Sequence, residues 1–155
     1  MLIAPETLIA RLDEPRIRIC DVRWFLTEPG CGRREYETAH IPGAIFVDVD
    51  RDLVAPTGPG RHPLPSPAAF AERMGELGIG LEHEVVAYDQ GGGTIAARLW
   101  WMLDAIGHPN VALLDGGLAA WTAAGGPLDA SIPGHPGTTL TPARSTWPGT
   151  IERDA

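Results

Sequence analysis

The chain has 155 residues, 44% of them hydrophobic, and a formal net charge of -8 in which every basic residue is an arginine. That length fits one domain and leaves little room for two, and the apolar content supports a core without disulfide staples. An acidic chain with no basic cluster argues against nucleic acid as a partner, and the composition is that of a soluble cytoplasmic protein.

Strand and helix patterns alternate along the chain. Thr7 to Leu12 carries Leu8, Ile9 and Leu12 at helical spacing. Arg16 to Val22 is a β-branched strand holding Cys20, a small core residue by default. Pro29-Gly30-Cys31-Gly32 reads as an exposed loop, in which Arg33 and Arg34 would lower the Cys31 pKa slightly. Two such cysteines make no disulfide framework. Arg34 to Ala39 is a short helix and Ala44 to Val49 a second strand. Arg51 to Ser66 is rich in proline and glycine, a long loop or excursion. Ser66-Pro67 opens a helix, with serine as N-cap and proline in the first turn; Phe70, Met74 and Leu77 form its buried stripe and Gly78 ends it.

Glu84 to Tyr88 is a strand, and Asp89 to Thr94 a glycine-rich turn. Ile95 to Ile106 is a helix apolar on nearly every side, capped by Gly107. One of its adjacent Trp100 and Trp101 has to point away from the inner stripe, under a neighbouring domain. His108 follows as a partner for the helix C-terminal dipole. Val111 to Leu114 is a strand and Leu118 to Ala124 a helix. Short apolar strands alternating with helices predict an α/β fold with a central parallel sheet covered by helices on both faces. Residues 1–128 form the domain. Residues 129–155 have no period, contribute nothing to the core and read as a proline-rich linker or tail. No window approaches the roughly 18 apolar residues of a membrane span, so no membrane partner is expected. The first residues lack the basic region of a signal peptide.

Several segments resemble the rhodanese-like family. Tyr36-Glu37-Thr38-Ala39-His40-Ile41-Pro42-Gly43-Ala44 matches its signature, with Asp21-Val22-Arg23 upstream. Val85-Val86-Ala87-Tyr88 before a glycine-rich loop resembles its active-site strand. Leu113-Leu114-Asp115-Gly116-Gly117-Leu118 through Trp121 resembles its closing segment. Gly60-Arg61-His62-Pro63-Leu64-Pro65 and Leu99-Trp100-Trp101-Met102 narrow the likeness to the N-terminal, non-catalytic half of tandem thiosulfate or 3-mercaptopyruvate sulfurtransferases. The resemblance implies no cofactor and no metal. It implies small sulfur compounds and a C-terminal rhodanese domain of the same chain as partners, and a reading frame that continues past Ala155.

A sulfurtransferase needs a thiolate to hold the transferred sulfur. In active members that cysteine directly follows the strand; here Asp89 stands there, heading the degenerate loop Asp89, Gln90, Gly91, Gly92, Gly93, Thr94. A carboxylate carries no sulfur and repels an anionic donor. Read from the residues alone, Asp89 is a cap for loop N–H groups. The resemblance assigns Asp50 and His62 to the interdomain active site as a proton relay; without it, they are a strand-end cap and an exposed loop residue. Arg98 faces the interdomain cleft as an anion contact, or pairs with Asp89 or a surface carboxylate. His40 belongs to the signature turn, bonding backbone.

Other readings stay open. Gly91-Gly92-Gly93-Thr94-Ile95-Ala96 fits G-x-G-x-x-A after a strand, with Asp115 ending the next strand, which imitates a dinucleotide fingerprint. A cysteine-dependent phosphatase would need a cysteine where Asp89 stands. A stand-alone, inactive rhodanese-like module for binding or regulation is the non-enzyme alternative.

Overall fold

In a computed structural model, which describes residues 1–149, the elements run in the order β1 (Leu2–Ile3), α1 (Pro5–Ala10), β2 (Ile17–Asp21), α2 (Cys31–Thr38), β3 (Ile45–Phe46), α3 (Val49–Asp52), α4 (Pro67–Glu76), β4 (Glu84–Tyr88), α5 (Ala96–Ala105), β5 (Val111–Leu114) and α6 (Gly117–Ala123). The part of the tail expectation that falls on residues 150–155 lies outside the described residues. The five strands lie in the order β1-β5-β4-β2-β3, and every pairing is parallel. A wholly parallel sheet has to be covered on both faces. Two clusters of buried side chains do this. Phe70, Met74, Leu99, Met102 and Leu103 pack one face from α4 and α5. Leu8, Tyr36, Leu118 and Trp121 pack the other from α1, α2 and α6.

A buried ion pair ties the signature to the sheet. The Arg23 guanidinium and the Asp21 carboxylate are 3% and 0% exposed, which excludes water as a substitute partner, and meet at 2.7 Å. The Tyr88 hydroxyl donates to Asp21 at 2.7 Å and accepts from the Ile41 N–H. Arg23 donates onward to the Ala39 carbonyl. Burial, and next the Asp21 charge, pushes the Tyr88 phenol far up. His40 is fully buried, with its ring nitrogens 2.6 Å from the Tyr36 carbonyl and 2.8 Å from that of Ser131.

Four sequence expectations need correction, and one strand had no counterpart among them. Leu2–Ile3 forms an edge strand too short to leave an alternation. The second strand ends at Phe46, because Asp48 caps a turn of helix by accepting the Asp50 N–H. Cys31 opens α2 rather than sitting in a loop, and its thiol is pushed up, first by desolvation and then by Glu28, not down by the arginines. His108 is no dipole partner: its ring donates to the Gly80 carbonyl and accepts from the Asn110 N–H, and burial lowers its pKa. The tail does reach the core. Leu140 and Trp147 are buried, and Trp147 stacks on the outward-facing Trp101, which stays partly exposed. Cys20 is fully buried, its thiol pushed up to about 12 by desolvation.

Candidate active site

Three segments meet at the carboxyl ends of the parallel strands, where open α/β sheets place their sites. Trp24 follows β2, Asp50 follows β3, and the glycine-rich loop follows β4. The loop folds around Asp89, which is 5% exposed and so closed to an incoming ligand. Its Oδ1 accepts from the Gly91 and Gly93 N–H groups and its Oδ2 from those of Ile95 and Ala96, all at 3.0 Å. Gly93 has φ +79°, a conformation that turns its N–H inward and favours glycine. The loop is also held from behind: Leu118 and Ala119, at the start of α6, donate to the Asp89 and Gln90 carbonyls. Gly117 permits this approach, because a Cβ there would lie 2.7 Å from the Asp89 carbonyl oxygen.

Those inward N–H groups and the start of α5 form a main-chain anion cradle. Here the protein's own carboxylate fills it. Outside lies a shallow depression of about 200 Å³ between Trp24, Gln90, Gly91, Gly92, Thr94 and Ile95. A larger, mainly apolar groove of about 340 Å³, lined by Leu2, Thr7, Arg11, Glu84 and Val111, lies at the opposite ends of the strands.

Asp50 and His62 converge on Trp24. The Trp24 indole N–H donates to Asp50 Oδ2 at 2.9 Å. The ring of His62 meets Trp24 edge-on, with centroids 5.3 Å apart and planes at 85°. Asp50 is exposed and His62 half-buried. Among the described residues, no hydrogen bond or ion pair joins Asp50 to His62 directly. Trp24 is the residue that sequence reasoning missed. An aromatic residue beyond a strand carries no local signal, and its importance arises only where three loops meet.

The short helix bearing Asp50 is fixed by its neighbour. Asp52 accepts from Arg73 of α4 at 2.6 Å and from the Asp48 N–H at 2.8 Å. Among the described residues Arg98 neither meets Asp89 nor pairs with a surface carboxylate. Its guanidinium donates to the carbonyls of Leu53 and His62. The helix carries Arg98 past the loop and under the excursion, and burial lowers its pKa. Asp115 is exposed at the end of β5. Among the described residues, no three His, Cys, Asp or Glu side chains gather to hold a metal, and no helix is long and apolar enough to cross a membrane.

The profile of the rhodanese-like domain matches residues 4–124. The chain belongs to the rhodanese-like family. It is 48% identical over 128 residues to a probable 3-mercaptopyruvate sulfurtransferase of Pseudomonas aeruginosa, covering 80% of this chain and 45% of that one. It is 42% identical over 127 residues to the human 3-mercaptopyruvate sulfurtransferase, covering 77% and 42%. The crystal structure of the Escherichia coli 3-mercaptopyruvate enzyme superposes with TM-score 0.83 at 32% identity, over 99% of this chain and 58% of that one. The rhodanese-like chain thus spans less than half the length of these two curated relatives.

Proposed function

We propose that this domain is the N-terminal, non-catalytic half of a sulfurtransferase that moves sulfane sulfur from thiosulfate or 3-mercaptopyruvate to a thiophilic acceptor. The observation that carries the reading is Asp89 with its four N–H partners. A persulfide enzyme keeps that cradle for a thiolate and the anion it attacks. A buried carboxylate there supplies no sulfur, and its charge excludes an anionic donor. Neither cysteine replaces it. Cys20 is sealed in the core, and the Cys31 thiol is pushed away from the thiolate form.

The contribution left to this half is at its rim. Asp50 and His62, both on Trp24, face outward beside the filled loop. A C-terminal rhodanese domain docked over this rim would bring its cysteine to them. His62 then moves protons for the sulfur-transfer step, and Asp50 acts on it through Trp24 rather than by direct contact.

Two measurements test this. The isolated chain, incubated with thiosulfate and cyanide or with 3-mercaptopyruvate, forms no thiocyanate and gains no sulfur by intact mass. A hybrid, in which the chain replaces the matched half of the Pseudomonas aeruginosa relative, is active. In that hybrid, Asp50→Asn or His62→Asn lowers kcat/KM about 100-fold, the scale of a lost proton-transfer group. A persulfide on Cys31 of the isolated chain, or a hybrid indifferent to both substitutions, would sink the reading. The latter result favours a stand-alone binding or regulatory module.

A further inference from the structure

We infer that Arg98 is a positioning residue for His62, the second arm of a bracket whose first arm is Trp24; this rests on the rim reading above. Its guanidinium is half-buried and has no carboxylate within ion-pair distance among the described residues. Buried arginines ordinarily meet an anion, because neutral acceptors repay desolvation poorly. Arg98 instead spans two carbonyls, Leu53 at 2.8 Å and His62 at 3.1 Å. These two residues lie in the excursion between α3 and α4, Leu53 at its start. Leu53 directly follows the helix that bears Asp50, and His62 precedes the proline run that leads into α4.

One guanidinium therefore joins the backbone that carries Asp50 to the backbone that carries His62. Trp24 joins their side chains, bonding one and packing against the other. The excursion is otherwise closed at its base by the Ala55 N–H bond to the Pro63 carbonyl at 2.7 Å. Its tip, Thr57 to Arg61, is exposed. The Trp147 indole N–H also holds the Pro65 carbonyl at 2.7 Å, and Arg98 adds the tie that falls on His62 itself. A planar fork with several fixed donors suits two divergent carbonyls; a lysine ammonium reaches one.

Proton NMR of the chain tests this. In the wild type the Trp24 ring current displaces the His62 ring-proton shifts. In Arg98→Met those shifts move toward random-coil values, and the Trp24 indole N–H exchanges about tenfold faster, as for one lost restraining hydrogen bond. Arg98→Lys falls between, through one retained carbonyl contact. The Trp121 indole, bonded to the Pro127 carbonyl on the other face of the sheet, is the internal control and stays unchanged. His62 signals unmoved in Arg98→Met, or Trp121 moving equally, would overturn the assignment. Asp50→Asn and His62→Asn hybrids with full activity would overturn the rim reading instead, whatever the NMR of Arg98→Met shows.

Discussion

The glycine-rich loop and the Asp50–His62 rim share a wall, Trp24, and a helix, α5, yet they differ in how far their polar groups are buried and bonded. In the loop every inward N–H meets Asp89, and the carboxylate is buried. At the rim the framework is bonded but the working ends of Asp50 and His62 remain accessible. A saturated polar cluster stabilises; an unsaturated one is available for chemistry. The two regions therefore place a fully bonded polar cluster beside a partly exposed one within a single face of one small domain.

The largest expected effect falls on the loop. Asp89→Ala strands four N–H groups and lowers unfolding stability by about 3 kcal/mol, read as a shift in denaturant midpoint at constant slope. Asp50→Asn, in the same assay, changes stability by less than about 0.5 kcal/mol, as an exposed side chain should. Equal losses at the two sites would erase the contrast. Asp89→Cys sharpens it further. With the cradle emptied of its carboxylate, a thiolate at that position attacks the outer sulfur of thiosulfate and releases sulfite. Intact mass then shows one added sulfur that the wild type never acquires. No gain in that variant would mean that the main-chain cradle cannot activate a thiol.

The smallest effect is on pH. Burial lowers the pKa values of His83, His108 and His135 below the ordinary 6.5. The unfolded chain thus binds protons first as the solution is acidified. These rings contribute stability that is present above about pH 6.5 and lost as pH falls through their folded values. Thermal melts should drop by a few degrees between pH 7.5 and 5, and His108→Gln should shallow that slope.

Much of the fold could be read from local pattern. The bounds of Glu84 to Tyr88 and Val111 to Leu114 are those of the strands observed, because short apolar runs between turn residues define themselves. Ser66 accepts the Ala69 N–H as an N-cap should. What escaped depends on partners distant in sequence. Leu140 and Trp147 sit in a stretch without period, and only α4 and α5 give them a core to enter. Of the two carboxylate pairings open to Arg98, neither forms among the described residues, and it donates to two carbonyls instead, a result no charge count suggests. At the site, Asp89 in its loop was legible because the cap lies within a few residues of its donors. The meeting of Asp50 with His62 at Trp24 was not, because three loops from three strands have to converge first.

Gly117 contributes no side chain to the cradle, yet the direction of the loop's dipoles depends on it. By letting α6 press close, it keeps the Asp89 and Gln90 carbonyls turned toward the helix and leaves the amides pointing the other way. The electropositive hollow is therefore a property of the main chain, and Asp89 is a plug in a socket already wired. One side chain fills the hollow, while the main chain that shapes it is held separately by α6.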